Sequence, residues 1–133
     1  MCGYIGAISY KRDYKDIIQN ANKNLICRGP DNLSELNIND NLFINLIFNR
    51  LSILDLSESA NQPMISSHNS ILMFNGEIYN HLELRKHLQS KKVKFNTDHS
   101  DSEVVLNGLD SEGIKFIEKL RGQFAIFYLN RKN

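Results

Sequence analysis

The residue with the most chemical capacity stands second in the chain. Cys2 follows Met1 and opens the stretch Met1-Cys2-Gly3-Tyr4-Ile5-Gly6-Ala7-Ile8. With Met1 trimmed, Cys2 carries a thiol with a free pKa of about 8.5 and an amine with one of about 8, so a nucleophile and a base share one residue. A second-position cysteine also reads as a small N-terminal core residue. Further polar features follow apolar runs, where site residues tend to gather. Arg50 comes after the run at 42–48, and its guanidinium could grip a carboxylate at two points or cover a sheet end. Asn75-Gly76-Glu77 follows the run at 70–74. A carboxamide donor beside a glycine N–H is what a developing oxyanion needs, and Asn-Gly is also a favoured tight turn. Glu77 and Asp101 offer anions to an ammonium group, although Asp101, between Ser100 and Ser102, could equally cap a helix. His68, His81, His87 and His99 lack metal-ligand spacing and read as surface or loop residues.

An N-terminal thiol, a carboxylate clamp, an oxyanion donor pair and an ammonium acceptor are the parts needed to hold a free amino acid and cleave its side-chain amide. Glutamine fits that description. The bulk properties are compatible with it: 133 residues suit one domain spanning 1–133, with 41% hydrophobic and 23% charged residues. A net charge of +1 argues against nucleic acid as the main partner. Two cysteines, no apolar run of spanning length and no secretory leader point to a cytoplasmic chain with free thiols and no membrane partner.

The elements that must position these groups follow from periodicity. The opening stretch predicts a short buried strand anchoring the terminus. Ile17, Ile18, Ala21 and Leu25 recur at helical spacing, and Gly29-Pro30 stop that helix. Residues 33–38 and 42–48 predict a hairpin around Asn39-Asp40-Asn41. A polar loop runs through Glu58 to Asn61-Gln62-Pro63-Met64, and the next strand ends at Asn75-Gly76. A helix over 79–89, a weak alternation at Val93 and Phe95, two short helices carrying Val104, Val105 and Leu109, then Ile114, Ile117 and Leu120, and a buried, central strand over 123–129 complete the order. No glycine-rich phosphate loop occurs. The elements suggest a mixed sheet with helices on its outer face, and the late position of its last strand suggests a domain incomplete at its C-terminus.

Seven blocks in one order resemble the class II glutamine amidotransferase domain of the N-terminal nucleophile hydrolases, most closely that of glutamine-hydrolysing asparagine synthetases. They are Cys2-Gly3, Arg28-Gly29-Pro30-Asp31, Asn49-Arg50-Leu51-Ser52-Ile53-Leu54-Asp55, Asn61-Gln62-Pro63-Met64, Asn75-Gly76-Glu77-Ile78-Tyr79-Asn80, Ser100-Asp101-Ser102-Glu103-Val104 and Leu120-Arg121-Gly122-Gln123-Phe124-Ala125. The resemblance implies an α+β fold, a four-layer αββα sandwich of antiparallel sheets. It implies that Cys2 attacks the glutamine carboxamide, that Asn75 and the Gly76 N–H form the oxyanion hole, that Arg50 grips the substrate carboxylate, and that Glu77 and Asp101 hold its amino group. It also implies a synthetase domain, in cis or in trans, that receives the ammonia and uses ATP and Mg, with no cofactor in the present domain. Cys27 and Phe48 stand where many members have histidine. The acceptor of the ammonia and a homodimer stay open. So do two other readings: an inactive glutamine-binding or docking module, and an acylase of the same fold, which would have no use for the Arg50 and Asp101 pair.

Overall fold

The structure, a computed structural model, describes residues 2–53 and 56–131. Met1, on whose removal the free amine depends, lies outside the described residues, as do Leu54 and Asp55 of the third block and Lys132 and Asn133. The chain divides into two compact units, Met1–Ser52 and Ile53–Asn133. Each contains a three-stranded antiparallel sheet, so the single mixed sheet expected from the element order is replaced by two antiparallel ones.

In the first unit, β1 (Gly3–Ser9), β2 (Asn32–Asn39) and β3 (Phe43–Arg50) are ordered β1-β3-β2, with α1 (Lys15–Asn22) between β1 and β2 in sequence. The near-continuous apolar run of β3 suits a central strand, and every residue from Ile44 to Arg50 is buried. The hairpin of β2 and β3 forms as read, turning at 40–42. β1 is an edge strand rather than a buried one, and Ile8 stays 43% exposed. Strand alternation places Asn45, Ile47 and Asn49 on one face of β3 and Leu46, Phe48 and Arg50 on the other. Asn45 and Asn49 mark the α1 side, where Asn45 Oδ1 accepts from the Tyr14 N–H and Asn49 pairs with Asn22. The helix ends at Asn22, earlier than Gly29-Pro30 would have stopped it, and Ile26–Arg28 forms a separate 3-10 turn.

In the second unit, β4 (Met64–Ile65), β5 (Ile71–Ile78) and β6 (Gly122–Leu129) are ordered β4-β5-β6, with α2 (His81–Ser90) and α3 (Asp101–Glu112) between β5 and β6 in sequence. Leu72, Phe74 and Ile78 of β5 pack with Leu84 and Leu88 of α2, with Val104, Val105, Leu106 and Leu109 of α3, and with Phe116. Burying each such side chain stabilises the fold by about 1.5–3 kcal/mol. Three expectations fail here. β6 is the edge strand of its sheet among the described residues, with Gln123, Phe124 and Ala125 exposed, because an apolar run does not by itself distinguish a central strand from an edge. Val93 and Phe95 belong to no strand, and 113–119 is 3-10 rather than α.

The segment before α3 is held by side chains instead of a ladder. Both terminal nitrogens of Arg85 donate to the Thr97 carbonyl, at 2.7 and 2.6 Å, and the guanidinium lies 4.1 Å over the Phe95 ring. Glu103 accepts from the Asn96 and Thr97 N–H groups and from the Thr97 hydroxyl. Ser100 caps the helix by accepting from the Glu103 N–H. At the far end of α3, Glu112 meets Lys119, Lys91 and His87, whose hydrogen bonds pull its carboxyl down to about 2. The folded pKa is depressed, so this contribution is complete above the unfolded value near 4.5 and fades as the pH falls through about 2. Glu112→Gln is expected to lower stability by about 1 kcal/mol at neutral pH. Denaturant titrations of the two proteins should converge as the pH approaches 2.

Candidate active site

The first unit presents Cys2 and Arg50 together. Gly3 pairs with Asn49 and Tyr4 with Phe48. Extending that register by one residue sets Cys2 opposite Arg50, on the sheet face that Tyr4 and Phe48 share and away from α1. Tyr4 and Phe48 stack at 6.2 Å between ring centroids and form an aromatic floor under this edge. The Leu51 N–H donates to Cys2 Sγ at 3.3 Å, and the thiol faces the Leu51 carbonyl at 3.6 Å. Arg50 is the last residue of β3 and is buried.

The loop Arg28-Gly29-Pro30-Asp31, to which the sequence alone assigns no role, holds these two residues. Arg28 Nε donates to the Cys2 carbonyl at 3.1 Å. The Asp31 N–H donates to the Arg50 carbonyl at 3.0 Å, and Asp31 Oδ2 accepts from the Ser52 N–H at 2.7 Å. Asn49 Nδ2 reaches Asn22 Oδ1 at 2.6 Å and the Gly3 carbonyl at 3.4 Å. One loop therefore fixes the start of β1 and the end of β3 at once. Gly29 makes this contact feasible, since a Cβ there would lie 2.2 Å from the Asn49 oxygen. Gly29→Ala is expected to cost about 2–3 kcal/mol through forced backbone movement, read as a lower denaturation midpoint. A midpoint within one degree of wild type would mean that the loop yields freely.

The second unit gathers Asn75, Gly76, Glu77 and Asp101 along one edge of β5. Asn75-Gly76 is neither a turn nor the end of the strand, because β5 continues to Ile78 and Asn75 pairs with Ala125 of β6. The Asn-Gly turn preference is overridden by pairing with β6, and Gly76 is needed for closeness. Its φ is +156°, and a Cβ would lie 2.1 Å from the Gln123 oxygen. Alternation puts Asn75 and Glu77 on the face opposite the core residues Phe74 and Ile78.

Backbone direction alternates too. Tyr79, in step with Asn75 and Glu77, donates to the Arg121 carbonyl on the β6 side, whereas Ser70 and Phe74 direct their polar groups toward the β4 side. Gly76 therefore aims its N–H at the edge that β4 has already left. Among the described residues no hydrogen bond to that N–H is recorded. Two residues on, the Ile78 N–H donates to Asp101 Oδ2 at 3.0 Å. Asp101 is thus not the helix cap, a role taken by Ser100. Asp101 is 6% exposed, and burial raises its pKa against the opposing pull of the Ile78 and Ser102 N–H groups and of His81. Glu77 is exposed on the face of β5 opposite the core. An open N–H, a neighbouring carboxamide and two carboxylates at one strand edge can stabilise an oxyanion and receive an ammonium group. His68 and His87 contact Asp110 and Glu112, and His81 contacts the Ile78 carbonyl, so these three serve local structure. No metal-holding group of His, Cys, Asp or Glu occurs among the described residues.

The fold is that of a solved amidotransferase. Glutamine phosphoribosylpyrophosphate amidotransferase from Bacillus subtilis superposes with a TM-score of 0.73 at 16% identity, over 96% of this chain and 35% of that one. In sequence, glutamine-hydrolysing asparagine synthetase 1 of Bacillus subtilis is 36% identical across 100% of this chain and 21% of its own length. A putative asparagine synthetase of Methanocaldococcus jannaschii is 33% identical across 99% of this chain and 28% of its own length. The chain thus spans about a fifth to a quarter of the length of these two relatives. Residues 1–133 match the glutamine amidotransferase domain family, and the chain belongs to it.

Proposed function

We propose that this chain hydrolyses the side-chain amide of glutamine with Cys2 as nucleophile, giving glutamate and ammonia. The family match over the whole chain, together with a second-position cysteine whose sulfur accepts a backbone N–H, carries this reading. The Cys2 amine, free once Met1 is removed, takes the thiol proton through a water. Sulfur then bonds to the amide carbon, and the resulting oxyanion is met by the Asn75 carboxamide and the Gly76 N–H. As that tetrahedral species collapses, the C–N bond breaks and the nitrogen leaves as ammonia with the returned proton. Water then attacks the thioester, releasing glutamate and restoring the thiol. Arg50 pairs with the substrate α-carboxylate, and Glu77 and Asp101 receive its ammonium group.

The ammonia is taken up by a synthetase domain, in cis or in trans, that uses ATP and Mg as a ligase to amidate an acceptor carboxylate. Aspartate is the acceptor suggested by the names of the relatives. The glutaminase part itself uses no cofactor, and the setting is cytoplasmic, without nucleic acid or membrane as partner. The direct test is mass spectrometry of the purified chain treated with a diazoketone analogue of glutamine. One adduct on Cys2 of the Met1-free form is expected, and a processed terminus that takes no label removes the reading.

The raised pKa of Asp101 gives a second observable. Its anion is the form that receives an ammonium group, and that form is lost on acidification at a higher pH than for an ordinary aspartate. kcat/KM for glutamine should therefore fall as the pH drops through this raised range. Asp101→Asn keeps an acceptor for the Ile78 N–H, and is expected to raise KM about 10- to 100-fold while removing that limb of the profile. The same shift makes the charged form a cost to stability at neutral pH, so the variant should be at least as stable as wild type. An unchanged acid limb in Asp101→Asn would assign it to another group.

A further inference from the structure

Gln62 occupies a place in the second sheet that the catalytic reading leaves unexplained. β4 pairs with β5 only through Met64–Leu72 and Ile65–Ile71. Following that register back along the chain brings Gln62 opposite Phe74, where it is the side chain of Gln62 that bonds to β5. The side chain supplies what the backbone does not. The Phe74 N–H donates to Gln62 Oε1 at 2.6 Å, and Gln62 Nε2 donates to the Phe74 carbonyl at 3.2 Å. The carboxamide thus reproduces the two-bond exchange of an antiparallel pair. The same Nε2 reaches Ser102 Oγ at 3.2 Å, on the residue following Asp101. Gln62 is 5% exposed, and a buried amide is retained in this setting only if its bonds are made.

We infer that the Gln62 side chain is a positioning residue that ends the β4–β5 ladder with a surrogate rung, fixing Phe74 while leaving the next edge-facing N–H, that of Gly76, open to the reacting oxygen. A true backbone strand continuing past residue 62 would cover the Gly76 donor, and an unpaired edge would let Asn75 and Gly76 drift. The side-chain rung avoids both, and its bond to Ser102 ties the oxyanion donors to the start of α3, where Asp101 stands. This inference rests on the glutaminase reading.

The test compares wild type, Gln62→Met and Gln62→Glu in glutamine hydrolysis and in alkylation by iodoacetamide. Alkylation of Cys2 is a direct displacement in which no oxyanion develops, and exposed Cys27 serves as the internal standard. Gln62→Met is expected to lower kcat about 10- to 100-fold with KM changed less than fivefold, because misplacement near 1 Å suffices for such a loss. The Cys2 alkylation rate should stay within twofold of wild type. Gln62→Glu keeps the acceptor for the Phe74 N–H, but its ionised form offers no donor to the Phe74 carbonyl. Protonation restores one, so its kcat relative to wild type should climb as the pH falls. If Gln62→Met does not fold, that pH dependence decides alone. A Gln62→Met kcat within threefold of wild type, an equal loss in the alkylation rate, or a flat Gln62→Glu ratio overturns the positioning role while leaving the glutaminase intact. A processed wild-type chain that cannot hydrolyse glutamine overturns both.

Discussion

Cys2→Ala is expected to abolish glutamine hydrolysis, by roughly 10⁴-fold or more in kcat, without unfolding the chain. Removing a covalent nucleophile takes away the whole reaction path rather than one stabilising contact, which is why the loss exceeds that for any binding residue. The thiol is half-buried and its loss gives up the Leu51 N–H donor and the weak contact with the Leu51 carbonyl, so the stability loss should stay near 1 kcal/mol. Glutamate release measured alongside thermal denaturation separates the two effects. Residual activity within tenfold of wild type would transfer the nucleophile's role to another group.

Asn75→Ala carries the second-largest expected effect, a fall of about 10²- to 10³-fold in kcat with KM little altered. The carboxamide meets charge that exists only in the transition state, so its loss should not weaken ground-state binding. Gly76→Ala is the poorer probe of the same pair. Its Cβ would collide with the β6 backbone, and a loss of activity would then mix misfolding with loss of the donor. Single-turnover kinetics on Asn75→Ala, showing slow thioester formation with unchanged glutamine affinity, is the result that fits. A rise in KM matching the fall in kcat/KM would instead make Asn75 a ground-state ligand.

Much of this arrangement is legible along the chain, and the parts that are not share a cause. The β2–β3 hairpin announces itself because alternation and an Asn-Asp-Asn turn are local signals. Arg50 and Asn75 are marked by residue type after apolar runs, Cys2 by its place behind Met1, and Asp101 by its setting between two serines. The continuation of β5 through Asn75-Gly76 is not legible, since a turn preference of adjacent residues competes with pairing to a strand 50 residues away. The edge position of β6 is hidden for a similar reason, because Phe124, Ile126 and Tyr128 give the same pattern in either setting. Gln62 reads as one polar residue in a polar loop. Only the register of β4 on β5 shows that its side chain completes a ladder, and Arg28 and Asp31 become braces only when β1 and β3 are known to be neighbours.

The order β1-β3-β2 has a bearing on how the terminus matures. Among the described residues β1 pairs with β3 alone, so its ladder cannot form until residues 43–50 have been synthesised. At the usual pace of translation that interval is roughly 2–10 seconds. During it the first residues have no β3 to pair with. Cys2, made among the first residues, thus acquires its Leu51 donor only once the first unit is nearly complete.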